Sequence, residues 1–99
     1  MSHQAYQEPL DKLSAPTMDM HRAIAALIEK LQELDAQNQR HEGCTDPELR
    51  LLLAHGRDAG KRQIAMLLEW MRRRDVKFDI DMKAVLFKAG PIVAPYHYE

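Results

Sequence analysis

Two stretches of this chain repeat apolar side chains every three or four residues, and that period constrains the fold more than anything else in the sequence. Met20, Ile24, Leu27, Ile28, Leu31 and Leu34 form one stripe; Leu49, Leu53, Ile64, Leu67 and Met71 form a second, flanked by Leu52 and Trp70. Such spacing puts side chains on one face of an α-helix, whereas a half-buried strand needs strict alternation. The breaks between the stripes agree. Ser14 or Thr17 can cap a first helix with Pro16 in its opening turn, and the pattern fades through Gln37, Asn38 and Gln39 towards Gly43. Thr45-Asp46-Pro47-Glu48 restarts it: a threonine cap, an early proline and a glutamate three residues on make a capping box. Basic Arg72-Arg73-Arg74 closes the second helix, and a short third helix carries Ile80, Ala84, Val85 and Phe87 up to Gly90-Pro91. The expected helices span about 16–40, 46–74 and 79–88, with an extended tail over 91–99 and no strand.

The fold class is therefore all-α, a single domain built as an antiparallel two-helix hairpin plus a short C-terminal helix. A hairpin cannot cover its own apolar stripes, and a chain of 99 residues has little core to spare. Dimerisation into a four-helix bundle is the expected remedy, so the chain should be a homo-oligomer. With 45% apolar and 29% charged residues it has enough to bury to fold rather than stay disordered. A net charge of −1 argues against a general nucleic-acid or membrane-surface partner, and no apolar run approaches the ~20 residues of a membrane span. One cysteine, Cys44, leaves no disulfide to form within the chain, and MSHQAYQEPLDKL has no basic-then-apolar leader pattern. A cytoplasmic location is expected.

The second stripe is interrupted. At about 100° per residue, Gly56 and Gly60 fall within it and Gln63 at its edge, beside Trp70 and Leu52. Each glycine costs a helix interior ~0.8–1 kcal/mol relative to alanine. On the first helix, Lys30 lies at the stripe's margin, next to Ala23, Leu27 and Leu34. One reading is that the glycines admit a closely packed helix. Another is that an interrupted bundle core is where such folds build metal sites, from inward carboxylates and a Glu-x-x-His pair, and here that pair is missing.

The residues Glu8-Pro9-Leu10, His21-Arg22-Ala23-Ile24, Thr45-Asp46-Pro47-Glu48-Leu49, Leu53-Ala54-His55, Arg57-Asp58, Met66, Leu68-Glu69-Trp70, Leu86-Phe87 and Gly90-Pro91-Ile92 fall in one ungapped register over about residues 8 to 92. In that register the chain resembles the encapsulated ferritin-like proteins, the encapsulin-associated ferroxidases. The resemblance implies half a ferritin per chain, pairing into a four-helix bundle and assembling as a ring. It implies a di-iron centre between paired chains that oxidises Fe(II), with an encapsulin shell storing the product. The family's iron ligands are a glutamate of the first long helix and a Glu-x-x-His of the second. At the matching positions this chain has Lys30, Gly60 and Gln63. The family's Trp-Tyr pair becomes Ala36-Gln37, an acidic neighbour becomes Ala59, and another becomes Arg62. Of an accessory acidic pair Glu29 remains, Gln32 replaces its mate, and His55 stands without acidic neighbours. The family's C-terminal shell-targeting extension has no counterpart in Pro95-Tyr96-His97-Tyr98-Glu99.

The resemblance thus implies a ferritin-like scaffold with no metal ligand at the family positions, no catalytic residue and no cofactor: a structural or modulatory member. Its partners would be its own copies, an active paralogue or an encapsulin shell, whose lumen is the alternative location. The rival reading is an iron-binding ferroxidase using displaced ligands, drawn from Glu29, Glu33 and His55, with His21, His41 and Glu42 in reserve. Carboxylates and imidazole are ligands that iron accepts. Against it, Glu29 and Glu33 lie off the apolar stripe, where a solvated face is the ordinary role. Arg72-Arg73-Arg74 complements the dipole of a helix end without any nucleic-acid role.

Overall fold

The computed structural model describes residues 6–93. A short 3-10 turn, Leu10–Lys12, leads into three helices: α1 (Ala15–Gly43), α2 (Pro47–Arg74) and α3 (Val76–Val85). No strand occurs among the described residues. Ser14 starts α1, its hydroxyl accepting from the Thr17 amide at 3.3 Å, and Pro16 sits in the first turn. The helix then runs 29 residues, roughly 43 Å at the usual rise, because no proline or glycine interrupts it before Gly43. After residues 44–46 the chain reverses and α2 packs along α1.

Several boundaries differ from the sequence expectation. The cap of α2 is Asp46, not Thr45: the Asp46 carboxylate accepts from the Leu49 amide at 2.8 Å, with Pro47 first in the helix. Asp75 ends α2 and at once caps α3, accepting from the Phe78 amide at 3.0 Å, so α3 begins at Val76, three residues earlier than the period suggested. α3 also stops earlier, at Val85. Leu86 is extended (φ −79°, ψ 148°), Phe87 takes φ 59°, and the left-handed Gly90 (φ 91°) lies in a bend beyond the helix. Residues 91–93 are non-helical; the rest of the expected tail lies outside the described residues.

The hairpin has almost no interior. Among the described residues only Ala23 and Met71 are buried, and Leu49, expected on the core stripe, remains 46% exposed. Leu51, Leu52 and Met66 are more open still. One helix on one helix covers a single stripe of each, and the remaining apolar arc has nothing against it. α3 packs on α2 alone among the described residues and turns away from the hairpin, giving extents of 50 × 49 × 22 Å. The accessible surface is 8301 Å², against roughly 5,800 Å² expected for a monomer of this mass.

Candidate functional site

The antiparallel pairing brings the two halves of the interrupted stripe to one broad face. On α2 that face carries Gly56, Gly60 and Gln63. An added Cβ at Gly56 would meet the Gln37 amide nitrogen of α1 at 3.6 Å, so Gln37 leans over the bare backbone. At Gly60 a Cβ would meet nothing within 4 Å. Gln63 is exposed and borders a shallow hollow of about 550 Å³ with Ala23 and Ala26 of α1 and Leu67 and Trp70 of α2. The hollow exists because alanines on α1 face an amide and an indole rather than a filled apolar row.

Lys30 is half-buried at the margin of α1, and its ammonium points along its own helix to Glu33, 3.5 Å away. The i, i+3 spacing makes that pair available without help from α2. Nothing acidic on α2 is paired with it among the described residues. Next to Gly60, Asp58 accepts from Arg57 and lies 3.1 Å from both the Arg57 and the Lys61 nitrogens. Those two cations, Arg57 first, hold its carboxyl below the usual carboxylate range.

The displaced ligands do not converge. Glu29, Glu33 and His55 are exposed, and no cluster of three His, Cys, Asp or Glu side chains suited to a metal occurs among the described residues of one chain. His21 stacks against Tyr6, ring centroids 4.1 Å apart. Cys44, half-buried in the loop, directs its sulfur to the Asp46 carbonyl at 3.7 Å.

The strongest polar constellation lies elsewhere, at the junction of α2 and α3. Arg72 donates to both Glu69 oxygens, at 2.8 and 2.6 Å, and to Asp79 of α3. Arg73 reaches Glu69 at 2.7 Å, and Lys83 reaches Asp79 at 3.1 Å. Arg72, then Arg73, pull the Glu69 carboxyl down to about 2; Arg72 and then Lys83 lower Asp79; Glu69 and Asp79 in turn raise the guanidinium. Arg74 stacks over Trp70 at 4.1 Å. The basic triplet that closed the second helix in the sequence is thus occupied within the chain. Glu69 and its arginines could have been paired from their i, i+3 and i, i+4 spacing; Asp79 could not, since the bend at Asp75 decides whether it reaches back.

The chain is similar to known proteins. A family model described as EncFtn-like matches residues 5–89. The chain is 44% identical over 93 residues to the encapsulated ferritin-like protein of Rhodospirillum rubrum, an alignment covering 94% of this chain and 66% of that protein. It is 34% identical over 87 residues to a ferritin-like protein of Thermotoga maritima, covering 88% and 76%. A crystal structure of a Nitrosomonas europaea protein superposes with a TM-score of 0.84 at 51% identity, covering 89% of this chain and 98% of that one. The chain spans just under two thirds of the R. rubrum protein's length.

Proposed function

The chain belongs to the EncFtn-like family, and we propose that within it this protein is a non-catalytic, homo-oligomeric member with a structural or modulatory role. The observation that carries the reading is the donor set at Lys30, Gly60 and Gln63. In the register of the resemblance these stand where two carboxylates and an imidazole belong. An ammonium cannot donate a lone pair, a glycine has no side chain, and a neutral amide oxygen is a weak ligand for iron. Those residues do not fit an iron centre, so no oxidation step is assigned to them.

The positive end of Lys30 lies against Glu33 and not against the face, which supports pairing of two chains there without an acidic or metallic counter-charge. Two desolvated ammonium groups facing each other would be unfavourable; side chains turned along their own helices avoid that. The uncovered arc of the hairpin supports a two-chain, ferritin-like four-helix bundle as the folded unit. The name of the R. rubrum relative, an encapsulated protein, supports an encapsulin shell or an active paralogue as partner and the shell's lumen as an alternative to the cytoplasm.

The test is Fe(II) oxidation after anaerobic loading, with metal analysis of the purified oligomer. The wild-type protein should not exceed the uncatalysed rate. A triple variant, Lys30→Glu with Gly60→Glu and Gln63→His, should bind iron and oxidise it. Wild-type turnover above background overturns the reading. An inert triple variant with its oligomer intact would instead place part of the loss at Ala36 and Gln37.

A further inference from the structure

Arg62 is a cation on α2 that neither a partner nor the helix end accounts for. Arg72, Arg73 and Arg74 occupy the last turn, where the helix dipole favours positive charge; that effect fades within a turn, and Arg62 lies roughly three turns earlier. It is exposed and makes no hydrogen bond or ion pair among the described residues. With Arg73 and Arg74 it rims a shallow hollow of about 610 Å³, floored by Ala65, Met66 and Trp70, with Glu69 as its one carboxylate. Glu69 is already committed: Arg72 donates to both of its oxygens and Arg73 to one of them. Arg74 lies over the Trp70 ring and has no carboxylate partner among the described residues. Four guanidinium groups thus meet two carboxylates, Glu69 and Asp79, and Asp79 also holds Lys83. On a chain whose net charge is −1, this end of α2 carries a local positive excess.

We propose that this face of α2 docks an acidic protein segment bearing an apolar side chain, its carboxylates meeting Arg62, Arg73 and Arg74 and its apolar group resting on Met66 and Trp70. Charge complementarity selects the sign of the partner, and the floor selects its amphipathic character. Met66 is 56% exposed, and arginine, tryptophan and methionine are the side chains enriched at protein interfaces. A small ligand needs a cleft that encloses most of its surface, whereas every wall of this hollow comes from one helix. A nucleic-acid strand needs open rings on which to stack; Trp70 is the one ring here, half-buried with Arg74 over it, and Glu69 would face the phosphates. The face is also distinct from the one on which chains are proposed to pair. Arg62, Met66, Glu69 and Arg73 follow a row roughly 100° around α2 from Gly56, Gly60 and Gln63.

The probe is a fluorescently labelled peptide of alternating glutamate and leucine, titrated with the full chain and followed by anisotropy. Trp70, the only tryptophan, reports by its own emission where the peptide lands. Binding should saturate, shift the Trp70 emission at the same midpoint and weaken with added salt. Arg62→Glu should weaken it by about tenfold or more, since a like charge then faces the peptide, and the neutral Arg62→Gln should weaken it by less. Lys77→Glu makes the same charge change on α3 outside the hollow and should alter binding by less than about twofold. Arg62 holds no partner within the chain, so both of its variants should keep the wild-type helicity and assembly size. Absence of saturable binding, a Trp70 emission that does not follow it, or equal losses in Arg62→Glu and Lys77→Glu would overturn the inference. So would equally tight binding of a glutamate–serine peptide, which lacks the apolar group, or tighter binding of a thymidine oligonucleotide, which would make the surface one for nucleic acid. Fe(II) oxidation by the wild type, the result that overturns the non-catalytic reading, would leave the docking surface standing.

Discussion

At the scale of single residues, Gly60 is the sharpest probe of the interrupted face. Nothing among the described residues comes within 4 Å of where its Cβ would stand, so its helix cost is not offset by close packing within the hairpin. Gly60→Ala should therefore raise stability by about 0.8–1 kcal/mol in urea denaturation. A loss instead would show that another chain lies against the bare backbone there. Lys30 shows what can be read from local spacing: its partner Glu33 is one turn away on the same helix, and the structure pairs them. Gln37 was not legible in that way. It meets Gly56 across the hairpin, and such a contact depends on how far the two helices slide past each other.

At the scale of elements, helix ends carry the lesson. Thr45 and Asp46 are both good caps, and the sequence pattern favoured Thr45 because Glu48 completes a capping box. The carboxylate of Asp46 holds the Leu49 amide, so Asp46→Ala should cost about 1 kcal/mol while Thr45→Ala changes little, as read by chemical denaturation. α3 is held by a cap and an ionic bridge. Glu69 is depressed from an ordinary 4.5 to about 2, and Asp79 is lowered as well, by Arg72 in each case first. A folded pKa below the unfolded one means that the contribution is complete above about pH 4.5 and disappears as the pH falls through 2. Amide exchange in α3 should accordingly accelerate over that window, before α1. Uniform exchange across both helices would show that the bridge does not hold α3.

For the whole molecule, the proposed pairing of chains makes stability and association one quantity. With only Ala23 and Met71 buried among the described residues, the hairpin lacks the interior that sustains an isolated domain of this size. Unfolding should follow mass action, the Tm falling on dilution through the micromolar range. A Tm independent of concentration, with full helicity retained, would mean that the chain stands alone. The exposed charges matter less here. Pairs such as Lys77–Asp81 at 2.9 Å and Arg22–Asp19 at 2.7 Å are surface contacts, each expected to contribute well under about 1 kcal/mol.

The sequence by itself determined that the chain is helical and where it reverses. Those properties are carried by neighbours within a turn or two, through the 3.6-residue period, capping chemistry and residue type. The start of α3 at Val76, the reach of Arg72 to Asp79 and the left-handed Phe87 were settled by the tertiary structure. Each depends on the direction the chain takes at Asp75. A single residue there closes one helix and opens the next, and the angle between them comes from packing and ion pairing across the bend, which no periodicity within either helix encodes.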